Sequence, residues 1–207
     1  MGWWARQVVP RLVAGGGDEP KVLTLRARAC DGLEGRVVEL GFGSGPNLRV
    51  LPAAVTEVVA VEPSDVAWRL SQPARDASPV PVTRGGLDAG RLDLPDGSAD
   101  AVLSTLTLCT VPDAATALAE VRRVLRPGGT LHLLEHGLAP DAPVRRWQHR
   151  LDPLQRRLFD GCHLTRPVDE LVAASGLTVE AMEREYGPFP RPLRPWGFLY
   201  VGRARRT

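Results

Sequence analysis

Val37-Val38-Glu39-Leu40-Gly41-Phe42-Gly43-Ser44-Gly45-Pro46-Asn47 is a short apolar run, then an acid, then three glycines spaced two apart. The apolar run reads as a buried strand and the glycines as the turn that leaves it. Such a turn lets a ligand lie against bare backbone, because no Cβ projects there. A dinucleotide turn needs G-x-G-x-x-G, whose third glycine lets the following helix pack close to the strand. Here Pro46 stands where that glycine would fall. Glu39 decides the ligand class: a carboxylate at the mouth of the turn repels a pyrophosphate and suits a ligand that carries an ammonium group. The rival reading is a tight strand–helix turn that binds nothing.

Working outward from this turn, strands and helices alternate, the signature of a parallel sheet wound on both faces. Strands are expected at Arg36–Leu40, Glu57–Glu62, Ala99–Ser104 and Thr130–Glu135, with Pro79–Thr83 as a further candidate. Leu23–Leu33 reads as a helix that delivers the chain to the first strand. Ala114–Leu125 reads as another, with Asp113 as N-cap and Pro127-Gly128-Gly129 closing it. Its Leu118, Val121, Val124 and Leu125 share one face. In the last third, Val144–Phe159 has helical spacing interrupted by Pro153, and Val168–Ser175 is a short helix ending at Gly176. Thr178–Arg184 and Gly197–Arg203 read as a closing antiparallel hairpin. No repeat or low-complexity linker divides the chain. The expectation is one domain over residues 1–207, with a helical cap (1–35), a cofactor-binding core (36–135) and acceptor-side helices with closing strands (136–207).

The chain has 207 residues, 43% hydrophobic and 24% charged, enough for one domain with a sizeable core. No run of about 18 apolar residues is present to span a membrane, and the N-terminus lacks the apolar region of a secretory signal. That N-terminus carries Trp3 and Trp4 in a short amphipathic pattern ending at Gly15-Gly16-Gly17, readable as a lid over the cofactor or as a hydrophobic anchor onto the core. Cys30, Cys109 and Cys162 are far apart in sequence and odd in number. They form neither a disulfide framework nor a CxxC metal site, so no metal is expected and the cytoplasm is the expected compartment. The net charge is +2, and Lys21 is the only lysine beside many arginines, a bias that fits a GC-rich bacterial genome. The arginines are scattered, apart from the Arg203–Arg206 tail, so no phosphate-tracking stripe is visible and no nucleic-acid partner is expected.

VVELGFGSGPN resembles motif I of the class I S-adenosylmethionine-dependent methyltransferases, written E/D-x-G-x-G-x-G. The resemblance implies a Rossmann-like α/β fold with a mostly parallel seven-stranded sheet and helices on both faces. It implies S-adenosylmethionine as cofactor, with S-adenosylhomocysteine as product. Glu39 would order the methionyl ammonium, and Gly41, Phe42, Gly43, Gly45 and Asn47 would pass beside the ligand. Glu62, with Pro63, ends the second strand in VVAVEPS. An acid there can accept from two vicinal ribose hydroxyls, or be an exposed carboxylate at a strand end. Leu87–Asp100 is similar to a segment of the ubiquinone-biosynthesis-type methyltransferases. By that match Asp88 accepts from the adenine amine and the Ala89 amide reaches a ring nitrogen, unless Asp88 is a solvated turn residue. Thr105 and Leu106, after the fourth strand, are placed by the family to hold the methionyl part with main-chain groups; Leu106 equally fits the core.

The later run, with Glu135-His136 and Asp160-Gly161-Cys162-His163-Leu164-Thr165-Arg166, resembles the methyltransferase-like thiol S-methyltransferase branch. The membrane-anchoring N-terminal segment of the animal members of that branch is not seen, so a soluble enzyme is expected. The favoured acceptor is a small-molecule thiol; an oxygen or nitrogen acceptor in a small metabolite is the alternative. Methyl transfer from a sulfonium needs positioning and a free lone pair more than acid catalysis. A thiol with an ordinary pKa of about 8.5 is mostly protonated at neutral pH, so a base or a cationic neighbour raises its reactive fraction. His136, directly after the fifth parallel strand, is the candidate catalytic residue; the bland reading is a histidine that caps a strand. Asp160, His163 and Arg166 are candidates for the acceptor pocket, although Arg166 also fits a surface role, and Cys162 fits buried packing better than nucleophilic chemistry. A dehydrogenase is disfavoured by the glycine spacing and Glu39. A nucleic-acid methyltransferase is disfavoured by the lack of an N/D-P-P-Y/F motif. A cofactor-binding protein without activity stays open.

Overall fold

A computed structural model describes residues 7–17, 19–188 and 190–207 of the chain; Trp3 and Trp4 lie outside them. The element order is α1 (Val9–Gly17), α2 (Pro20–Cys30), β1 (Gly35–Leu40), a 3-10 turn (Pro46–Arg49), β2 (Val55–Val61), α3 (Asp65–Leu70), α4 (Gln72–Asp76), β3 (Val82–Gly86), β4 (Ala99–Thr105), α5 (Ala114–Val124), β5 (Leu125–His136), α6 (Ala142–Leu158), α7 (Val168–Ala174), β6 (Thr178–Tyr186), a second 3-10 turn (Arg191–Leu193), α8 (Arg194–Gly197) and β7 (Phe198–Arg205).

One seven-stranded sheet runs β3-β2-β1-β4-β5-β7-β6. β1, β2, β3, β4 and β5 pair in parallel, and β7 enters antiparallel between β5 and β6. This is the expected mostly parallel Rossmann-like sheet with its closing hairpin. The central strands are buried over nearly their whole length because both faces are covered, which is why they read as continuous apolar runs. On one face Val38, Leu40, Val102, Leu131 and Leu133 pack with Leu118 and Val121 of α5 and Val172 of α7. On the other, Val37, Ala101, Leu103 and Leu134 pack with Leu25, Ala29 and Cys30 of α2. β6 is the edge strand. It is mostly exposed and charged, and its Glu180 pairs with Arg203 and Arg205 while Glu183 and Glu185 pair with Arg28.

The structure departs from the sequence reading at several places: α2 spans Pro20–Cys30 where Leu23–Leu33 was expected, and the closing strands run to Tyr186 and Arg205. α5 is capped as expected, with Asp113 accepting from Ala115 N and Thr116 N, but it passes straight into β5 at Leu125 without being closed by the Pro-Gly-Gly turn. Ala99 and Ala101 of β4 face Leu125 and Thr130 of β5, so residues 126–129 bulge from the ladder. β3 begins at Val82, later than expected, because Pro79 and Pro81 have no N–H to give to a ladder. Pro153 lies within one continuous helix, α6, on its exposed side.

Candidate functional site

The chain order places β1 between β2 and β4, so successive connections leave β1 in opposite directions and a crevice opens at the carboxyl ends of β1 and β4. The glycine turn lies there. Gly41, Gly43 and Gly45 all have left-handed φ, of 65°, 60° and 76°. A Cβ at Gly41 would run into Thr107 at 2.0 Å, so this glycine admits the loop after β4. At Gly43 the nearest atom to such a Cβ is 3.9 Å away. That backbone is bare toward the crevice, as a bound ligand requires. Phe42 turns its ring away, fully buried against Trp68 at 5.8 Å between centroids, so only its main chain can face a ligand.

Strand alternation sends Glu39 to the same face as Val37, beneath α2. Its carboxyl is 1% exposed. Oε1 accepts from Asn47 Nδ2 at 2.8 Å, and Asn47 Nδ2 also donates to Thr105 Oγ1 at 2.9 Å. Arg26 of α2 completes the cluster, donating to Asn47 Oδ1 at 2.9 Å and Thr105 Oγ1 at 2.8 Å. Glu39 Oε2 has no hydrogen-bond partner among the described residues. A buried acceptor left this way is costly, and a donor arriving from the crevice satisfies it. Burial pushes the Glu39 carboxyl up to about 8, against the opposing pull of the Asn47 hydrogen bond and of Arg26. Arg26 was not singled out in the sequence. The signal was present: a cation set among Leu25, Ala29 and Cys30 on the buried face of α2.

Glu62, just past β2, is 5% exposed. Its Oε2 accepts from Gly43 N and its Oε1 from Ser64 N, both at 2.7 Å, so the acid of the second strand clamps the turn of the first. Burial raises its pKa, opposed by those two N–H groups. Pro63 beside it is exposed. Asp88 is also exposed and folds back so that Oδ1 accepts from Gly90 N at 2.8 Å, while Ala89 is buried. Thr105 ends β4 inside the Arg26 cluster, and Leu106 follows with φ of 56°, its N–H held by Leu134 O at 2.7 Å. A left-handed φ on leucine is strained and is held by its surroundings, a common feature of binding sites.

The next parallel strand separates the neighbours Glu135 and His136. Glu135 is fully buried: Oε1 accepts from Ser104 Oγ at 2.7 Å and from Thr107 N and Leu108 N at 3.0 Å, and Oε2 from Cys109 N at 3.1 Å. It fastens the loop after β4. His136 is half-buried at the strand end, with Nδ1 3.9 Å from Cys109 Sγ and 3.9 Å from Cys162 Sγ. Two cysteines that the sequence keeps far apart are thus 3.8 Å apart at sulfur. Their shared hydrogen bond pulls the Cys162 thiol below its usual range, with the His136 ring adding to the effect, and pushes Cys109 above it. Asp160 and Gly161, both with left-handed φ, turn the chain after α6 so that His163 N donates to Cys109 O at 2.7 Å. The His163 ring points the other way, Nδ1 lying 3.7 Å from Asp152 Oδ2. Arg166 is spent on the carbonyls of Leu108 and Val111, a scaffold contact and not one aimed at a ligand. Asp160, near enough to Glu62 to raise its pKa beside the larger effect of burial, brings the segment after α6 to the edge of the crevice.

The family model for a methyltransferase domain matches residues 38–133, which span this crevice. The chain is 33% identical over 195 residues to the Thiol S-methyltransferase TMT1B of Homo sapiens, covering 90% of this chain and 78% of that protein. It is 36% identical over 134 residues to the Thiol S-methyltransferase TMT1A of Homo sapiens, covering 63% and 54%. Among solved structures, a chain in the complex of the Haloferax volcanii Trm112 methyltransferase activator with a methyltransferase superposes with a TM-score of 0.74 at 18% identity, covering 96% of both chains.

Proposed function

The chain belongs to the class I S-adenosylmethionine-dependent methyltransferases, and we propose that within this family it methylates small-molecule thiols at an acceptor site beside His136. S-adenosylmethionine supplies an electrophilic methyl group on a sulfonium; the protein supplies position. In this reading the partnerless Glu39 oxygen accepts from the methionyl ammonium. The bare backbone at Gly43 leaves room for the ligand, and Asn47, Thr105 and Arg26 hold the carboxylate in place. Glu62 takes the ribose hydroxyls with lone pairs its two N–H partners leave free. Asp88 and the Ala89 amide take the adenine, and the main chain at Thr105 and Leu106 borders the methionyl part. Residues 36–135 thus serve the cofactor, while 136–207, with Asp160 and His163, shape the acceptor side.

The thiol acceptor is favoured by the likeness to thiol S-methyltransferases along most of the chain and by the soft cluster at His136. The single observation that carries the cofactor half is Glu39: a buried carboxyl with one oxygen unmatched, at the switch point of a parallel sheet. A labelled-methyl screen of thiols, phenols and amines tests the acceptor half. Transfer to thiols is expected, with His136→Asn lowering their turnover by about 10²-fold, the low end for losing a group that assists proton removal. S-adenosylmethionine affinity should barely move in that variant. Transfer to a phenol or amine but to no thiol overturns the acceptor assignment. A cytoplasmic location belongs to the same proposal and rests on Cys30, Cys109 and Cys162, all free and buried. Recovery in the particulate fraction after lysis would contradict it.

A further inference from the structure

We propose that Cys109, His136 and Cys162 form a binding site for one zinc ion, with the fourth position left to the sulfur of the acceptor; the second clause rests on the thiol reading above. The three donor atoms lie within 4.8 Å of one another. A tetrahedral zinc with Zn–S of about 2.3 Å and Zn–N of about 2.0 Å sets its two sulfurs about 3.8 Å apart and each sulfur about 3.5 Å from the nitrogen. The sulfurs here are 3.8 Å apart, and His136 Nδ1 is 3.9 Å from both. The imidazole nitrogen is thus equidistant from the two sulfurs and has only a few tenths of an ångström to close.

The donors come from three separate segments, each held by hydrogen bonds of its main chain. Cys109 N donates to Glu135 Oε2, Cys162 N donates to Phe159 O at 2.9 Å, and His163 N donates to Cys109 O. Asp152, itself buried, accepts from Leu164 N at 2.7 Å and fixes the segment after Cys162. The arrangement is therefore preorganised before any ion arrives. Charge favours it as well. Two thiolates cancel a divalent cation, leaving a neutral centre where Cys109 is 1% and Cys162 7% exposed. Sulfur and imidazole select zinc over the hard cations magnesium and calcium. A disulfide requires sulfurs about 2.0 Å apart and an oxidant, and ordinary packing gives no reason for one nitrogen to sit equidistant from two sulfurs.

Three protein ligands and an open fourth position are the pattern of zinc sites that do chemistry. A thiol entering that position forms a sulfur–zinc bond and releases its proton to solvent, so it stands as thiolate at neutral pH. Its lone pair then forms the S–C bond to the methyl group. The C–S bond of the sulfonium breaks, and its electron pair remains on the departing thioether. The methylated product is itself a neutral thioether, a poorer ligand than a thiolate, and leaves.

The test uses the full chain, expressed with added zinc and purified under reductant. About one zinc per chain is expected by elemental analysis. Cys162→Ser and His136→Gln should each lower the retained zinc at least tenfold after dialysis, with S-adenosylmethionine binding by calorimetry reporting that the fold survives. Cobalt replacing the zinc should give the visible bands of a tetrahedral centre and thiolate-to-cobalt absorption, and an added thiol should shift those bands. Wild type that retains no more zinc than the variants, or an octahedral cobalt spectrum, overturns the site. Full-rate thiol methylation by metal-free protein overturns the metal while leaving the proposed function standing. Bound zinc whose cobalt spectrum no thiol perturbs overturns the fourth-position assignment.

Discussion

Glu62 joins two jobs in one side chain. It clamps Gly43 N and Ser64 N, and it is proposed to face the ribose. Arg84 steadies it from behind, donating to the Glu62 carbonyl through Nε and Nη2. Both jobs are indifferent to the methyl group. Glu62→Ala is therefore expected to weaken S-adenosylmethionine and S-adenosylhomocysteine equally, by about 1–3 kcal/mol for a lost charge-assisted contact. Calorimetry on both ligands checks this, with circular dichroism confirming the fold. A loss confined to one ligand would mean that Glu62 senses the sulfonium and not the sugar. Arg26 differs in kind, because it holds Asn47 and Thr105 in place and its charge also acts on Glu39. Replacing it should disturb Glu39 both by loosening Asn47 and by removing that charge.

At the scale of elements, β5 shows how a strand builds a site from alternation. Leu131 and Leu133 face the α5 side of the core, and Glu135 continues that face where the strand ends. The one carboxylate collects four donors, the Ser104 hydroxyl of β4 and three N–H groups of the loop that follows. Glu135→Gln replaces an accepting oxygen with an NH₂ group, which leaves at least one buried N–H unmatched. A loss of about 1–3 kcal/mol in stability is expected, read by urea unfolding; an unchanged midpoint would show that the loop is held elsewhere. The strand itself was legible because Leu131, Leu133 and Leu134 put apolar side chains on both of its buried faces. Its start was not, since the bulge at 126–129 places Pro127-Gly128-Gly129, which read as a helix stop, within the strand. Glu39 and Glu62 were legible for a local reason: each is marked by its position relative to a strand end and a glycine turn. The Arg26 cluster and the cysteine pair were not, because their contacts join residues 79 and 53 positions apart. No periodicity or short motif encodes such a meeting; only the folded sheet brings the loops after β4 and α6 together.

For the whole molecule, the site sets stability against function. Glu39 is moved from an ordinary 4.5 to about 8 in the folded chain without ligand. Below about pH 4.5 both folded and unfolded chains hold this proton, and it contributes no pH dependence. Between there and about 8 the unfolded chain has lost the proton while the folded chain keeps it, so stability falls as pH rises. The cofactor reverses the balance, because its ammonium needs the ionised carboxylate. Binding at pH 7 should therefore release a fraction of a proton approaching one, seen in calorimetry as a heat that scales with the ionisation enthalpy of the buffer. Affinity should climb from pH 6 to 7.5 by up to about tenfold per unit, over the same range in which the ligand-free protein loses stability. Glu39→Gln removes the titrating group but keeps the shape. The variant should bind S-adenosylmethionine more weakly, release no proton, and lose the downward slope of stability between pH 5.5 and 7.5. A wild-type protein whose affinity is flat over that range, with no proton released, would place an already ionised Glu39 beside Arg26. The unmatched oxygen would then be held for a reason other than the incoming ammonium.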